Sequence, residues 1–115
     1  MASNEDFQVT VETISDGVVV RPVGDIDLSR SPSLRTSIAK VFESTNARVI
    51  VDLREVPYMD SSGVATLVEA MQIASRSETR FILCGLGERV RSIFEIARLD
   101  TVFTITPDLE SAERA

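Results

Sequence analysis

The chain has 115 residues, 43% of them hydrophobic, which suits one domain with a core of its own. Its formal charge of −6 repels polyanions, and its eleven arginines are scattered rather than gathered into a stripe, so nucleic acid is not the expected ligand. With no histidine and a single cysteine, Cys84, the sequence has no intramolecular disulfide, no zinc set and no serine–histidine–aspartate relay.

Phe7, Val9 and Val11 alternate with polar residues, Asp16-Gly17 supplies a turn, and Val18 to Val23 is a β-branched run; together they predict an antiparallel hairpin. Ser31-Pro32 then offers a cap and a first-turn proline ahead of Leu34, Ile38, Val41 and Phe42 at helical spacing. The unbroken apolar run Val49-Ile50-Val51 within Arg48 to Leu53 predicts a central strand covered on both faces. Val64, Leu67, Val68 and Met71 predict a helix over Ser62 to Arg76, and Phe81 to Cys84 reads as a further buried strand. Val90, Ile93, Phe94 and Ala97 repeat the helical spacing, Val102 to Ile105 reads as a last strand, and Thr106-Pro107 is expected to cap a short terminal helix.

The order β-β-α-β-α-β-α-β-α predicts an α/β fold: a mixed five-stranded sheet, antiparallel in the N-terminal hairpin and parallel beyond it, sandwiched by about four helices. Residues 1–6 are expected to form a flexible arm and residues 7–115 the domain. No stretch reaches the roughly 18 apolar residues of a membrane span, so a cytoplasmic chain without membrane insertion is expected.

One segment carries a chemical signal. After the central strand, Tyr58-Met59-Asp60-Ser61-Ser62-Gly63 sets a polar group at a helix start, where free backbone N–H groups and the helix dipole favour an anion, such as a phosphate on Ser61, by about 0.3 to 1 kcal/mol. Aspartate and serine are also ordinary N-caps, and on composition and spacing alone capping is the more economical account of Ser61, as it is an available one for Asp60. Asp25 and Asp27, in Gly24-Asp25-Ile26-Asp27 after the second strand, fit a plain polar turn as readily as a binding role.

The whole chain, over about residues 7 to 112, resembles a STAS domain of the stand-alone anti-sigma factor antagonist family. The resemblance lies in Gly24-Asp25-Ile26-Asp27, in the apolar strand leading to Tyr58-Met59-Asp60-Ser61-Ser62-Gly63, and in the later Arg89 to Leu99 helix. It implies a regulator that binds an anti-sigma factor serine kinase charged with ATP, so releasing a sigma factor, and that is switched off by phosphorylation of Ser61. It implies a serine phosphatase as a second partner, and a partner face formed by Asp25, Asp27, Asp60, Ser61, Ser62 and Gly63. Neither cofactor, metal nor catalysis is expected. The same fold also serves as an accessory subunit of a lipid transporter ATPase and as a stressosome-type scaffold, and both remain as alternatives.

Elsewhere the signals are weak. Cys84-Gly85-Leu86-Gly87 has two glycines of a dinucleotide-binding turn, but Val90 replaces the third, so the loop is expected to shape a strand-to-helix turn. Cys84 ends an apolar strand and is expected to be a buried, unreactive thiol. Arg89 and Arg91 read as a solvated helix face, or as the rim of a partner surface.

Overall fold

The computed structural model describes residues 7–44 and 47–115, so the expected N-terminal arm lies outside the described residues. Nine elements follow the predicted order: β1 (Gln8–Ile14), β2 (Gly17–Val23), α1 (Ser31–Ser44), β3 (Arg48–Asp52), α2 (Ser61–Arg76), β4 (Arg80–Cys84), α3 (Glu88–Ile96), β5 (Thr104–Thr106) and α4 (Leu109–Arg114). The sheet order is β1-β2-β3-β4-β5, with β1 and β2 antiparallel and every later pair parallel. This is the mixed sheet that the sequence pattern predicts.

The helices do not sandwich the sheet evenly. Each crossover steps one strand further in the same direction, and crossovers of one hand then carry their helices to the same face. Leu34, Ile38 and Val41 of α1, Leu67, Ala70 and Ala74 of α2, and Val90 and Phe94 of α3 accordingly share one core with Val18, Val20, Val49, Val51, Phe81 and Leu83. On the other face Val19, Ile50, Ile82 and Cys84 meet, among the described residues, Ala112 and Leu109 of α4, with Ile14 of β1 at the edge. All five residues of β3 are buried, which is why its run of Val, Ile and Val has no polar break.

Element ends depart from the predictions for local reasons. The hairpin turns at Ser15 and Asp16, one residue early, with Ile14 paired to Gly17. Ser31 lies inside α1, since the Arg30 carbonyl takes the first intrahelical bond from Leu34 N. Val102 does not join β5: its N–H and that of Phe103 both donate to the Leu99 carbonyl, which keeps the chain in a turn until Thr104. At α4 the cap is Asp108, whose carboxylate accepts from Ser111 N at 2.8 Å, rather than Thr106-Pro107.

Candidate functional site

Two loops beyond the ends of β2 and β3 build the site. Ile26 and Met59 form an isolated parallel bridge: Ile26 N donates to the Tyr58 carbonyl at 3.0 Å, and Asp60 N donates to the Ile26 carbonyl at 3.0 Å. Both side chains are fully buried, so the bridge is anchored in the core while its neighbours Asp25, Asp27, Tyr58 and Asp60 reach the surface or its edge. The loop carrying Asp25 and Asp27 is thus held beside the start of α2.

Helix α2 begins at Ser61, one residue before the predicted Ser62, and its N-cap is Asp60. Asp60 Oδ1 accepts from Ser62 N at 2.9 Å, from Ser62 Oγ at 2.6 Å and from Gly63 N at 3.4 Å. Gly63 N and Val64 N also donate to the Asp60 carbonyl. This narrows the expectation of free amides: the Asp60 carboxylate already accepts from Ser62 N and Gly63 N and the Asp60 carbonyl from Gly63 N and Val64 N, so a phosphate on Ser61 would have to displace these bonds to reach those amides. The Ser62 hydroxyl, with backbone N–H groups of Ser62, Gly63 and Leu28, holds the Asp60 carboxyl below its ordinary range against some opposing desolvation. Asp60 is therefore an anion beside Ser61 at neutral pH.

The two serines differ in availability. Ser62 is half-buried and its hydroxyl is committed to Asp60, whereas Ser61, in the first helical position, is exposed. Gly63 is buried, and a Cβ there would lie 2.5 Å from Met59 Cγ and 2.8 Å from Ile26 Cγ2. Its lack of a side chain lets α2 close onto the bridge, so its part in any surface is to shape it from beneath.

Asp27 is tied within its own loop. Its Oδ1 accepts from Ser29 N at 3.1 Å, Ser29 Oγ at 2.8 Å and Arg30 N at 3.2 Å, while Oδ2 pairs with Arg30 Nη1 at 3.0 Å. The Ser29 hydroxyl foremost, then the Arg30 guanidinium, hold this carboxyl below its ordinary value. The Asp27 carbonyl accepts from Arg30 N and Ser31 N, so the residue organises the entry into α1 while its carboxylate stays partly open to solvent. Asp25 is exposed.

Three further residues frame this surface. Leu28 is 75% exposed and Tyr58 is 36% exposed, large apolar groups beside the two acidic loops. Arg89, at the start of α3, stacks its guanidinium 5.4 Å from the Tyr58 ring centre, which adds a cation to the rim. Leu28 and Tyr58 escape a reading by residue type because an isolated apolar residue in a loop is indistinguishable in sequence from a buried one; only its exposure separates them. The Gly85-Leu86-Gly87 loop does shape a turn, with Gly85 at a φ of 72°. Cys84 is buried, and burial first, then the adjacent Asp52 carboxylate, push its thiol up to about 12. Among the described residues no group of acids and cysteine is arranged to hold a metal ion, and no helix is long and apolar enough to cross a membrane.

The chain is similar to the anti-sigma-B factor antagonist of Listeria monocytogenes, with 30% identity over 95 residues that cover 82% of each chain. It is 27% identical over 105 residues to the anti-sigma-B factor antagonist of Bacillus subtilis, covering 91% of this chain and 95% of the relative. Among solved structures it superimposes on an anti-sigma factor antagonist from Mycobacterium paratuberculosis with a TM-score of 0.86 and 26% identity, over 99% of this chain and 97% of the other. The model of the STAS domain matches residues 8–112, nearly everything from β1 to α4. The chain therefore belongs to the STAS domain family.

Proposed function

We propose that this protein is an anti-sigma factor antagonist that binds an anti-sigma factor kinase when unmodified, and that phosphorylation of Ser61 by that kinase releases it. The observation that carries this reading is the contrast at the start of α2: an exposed Ser61 beside an ionised Asp60 whose other neighbour, Ser62, is committed to the cap. The relatives' names support the regulatory role, and the resemblance noted in the sequence supports the kinase and an opposing phosphatase.

Asp25, Asp27, Asp60, Ser61 and Ser62 would form the face that meets the kinase, with Gly63 supporting them from below. Leu28 and Tyr58 would supply its apolar contacts and Arg89 its rim. A phosphate brings about −1.5 to −2 charges into this acidic patch. Repulsion from Asp60 and the cost of stripping water from the phosphate would both oppose docking. A hundredfold loss of affinity corresponds to about 2.7 kcal/mol, within reach of a charge change at a desolvated contact. Catalysis by the chain itself is no part of this reading.

The test incubates the chain with candidate serine kinases and ATP and maps the phosphate by mass spectrometry. One phosphate is expected on Ser61, retained in Ser62→Ala and absent from Ser61→Ala. The phosphorylated chain should bind its kinase about a hundredfold more weakly. Modification of Ser62 instead, or equal affinity of the two forms, contradicts the mechanism.

A further inference from the structure

On the face of the sheet away from α2, Val19, Ile50, Ile82 and Cys84 are at most 2% exposed. Their cover is α4, only six residues long, which sets Ala112 into the cluster and a half-buried Leu109 at its edge. A helix of one and a half turns does not persist in water without tertiary support, and α4 itself sets only one alanine and part of a leucine against the sheet.

What holds the far end of α4 is polar. Arg48, the first residue of β3, donates from Nη1 to the Glu113 carbonyl at 2.8 Å and from Nη2 to the Ala115 carbonyl at 2.6 Å. Arg80, the first residue of β4, donates to the same Ala115 oxygen at 2.9 Å. Two guanidinium groups thus occupy the negative end of the helix, where cations are favoured. Arg48 also pairs with Asp16 in the β1–β2 turn at 2.6 Å, so hairpin, central strand and α4 meet at one side chain. Arg48 Nε, however, is buried with no hydrogen-bond partner among the described residues, a cost that the closed arrangement bears.

We infer that α4 is a cover latched by Arg48 and Arg80, which opens as a unit while the rest of the domain stays folded. Opening breaks a few charge-assisted hydrogen bonds and uncovers Val19, Ile50, Ile82 and Cys84 but leaves the larger core on the other face closed, so it requires less free energy than global unfolding. The segment pivots after β5 at Pro107, and its cap, Asp108 to Ser111, belongs to α4 and travels with it. None of this depends on Ser61.

Cys84 lies under the cover and reports its movement. The test follows labelling of Cys84 by an aromatic disulfide reagent at pH 8 across denaturant concentrations, beside global unfolding followed by circular dichroism. At low denaturant, labelling is expected through an opening that depends on denaturant much less steeply than global unfolding does. Arg80→Gln, at an exposed position, should speed it about tenfold with the global midpoint little changed. Ala112→Gly, which weakens α4 alone, should act in the same direction. Labelling that tracks global unfolding in the wild-type chain overturns the inference, and so does a sub-global route that neither variant speeds.

Discussion

Gly63 and Asp60 carry the local energetics of the site. In Gly63→Ala the new methyl meets Met59 and Ile26 at under 3 Å, an overpacking that costs about 1–3 kcal/mol, against about 1 kcal/mol gained by removing glycine from a helix. A net loss of about 1 kcal/mol is expected, read as a lower denaturant midpoint with an unchanged slope. Asp60→Ala removes a cap and should cost about 1 kcal/mol, while Asp60→Asn keeps the accepting oxygen and should stay nearer the wild type. The folded carboxyls of Asp27 and Asp60 both lie below their ordinary value. Their contribution to stability is complete above the unfolded value of about 4 and is lost as the pH falls from there through the folded values. The Asp27→Asn, Asp60→Asn double variant should therefore lose stability less steeply below about pH 4, as followed by denaturant titrations at stepped pH.

Among the elements, α3 opens on Gly87, whose backbone is extended and which offers no side-chain cap; a Cβ there meets nothing within 4 Å. Gly87→Ser should supply the missing acceptor and restrict the unfolded chain, raising stability by about 0.5–1 kcal/mol and the melting temperature by about 2–5 °C. Helices α1, α2 and α3 were legible because apolar residues recur at helical spacing, Leu34, Ile38 and Val41 in α1, Val64, Leu67, Val68 and Met71 in α2, and Val90 and Phe94 in α3. In α2, however, only Leu67 of these is fully buried, and the deepest contacts fall to Ala70 and Ala74, whose small side chains give a weak signal. Their ends were less so, because a cap depends on which of several eligible residues turns its oxygen inward. Asp60 and Ser61 were both eligible, and only geometry assigns the cap to Asp60. Val102 misleads by type: a β-branched residue before Phe103 reads as strand, yet the Leu99 carbonyl holds it in a turn and it is 52% exposed.

For the whole molecule, the element order fixed the sheet, but nothing local in the sequence says that Ile26 pairs with Met59, or that Arg48 reaches the end of α4. Those contacts span 33 and up to 67 positions and are products of the assembled fold. The acidic surface at Ser61 was legible in part for the same reason: its residues are readable, while their juxtaposition is tertiary. Because Asp60 already occupies the amides of Ser62, Gly63 and Val64, a phosphate on Ser61 that leaves this cap in place gains no bond from them and disrupts none. Melting temperatures of the modified and unmodified chains should differ by less than about 8 °C, with unchanged circular dichroism.

The sheet grows from β2 through β5 in the order in which its strands are synthesised. A nascent chain can add each new strand to an edge that already exists, and no later segment has to insert between earlier ones. Such a topology lets acquisition of structure keep pace with the ribosome and shortens the time for which an unpaired apolar strand such as β3 stands open to aggregation.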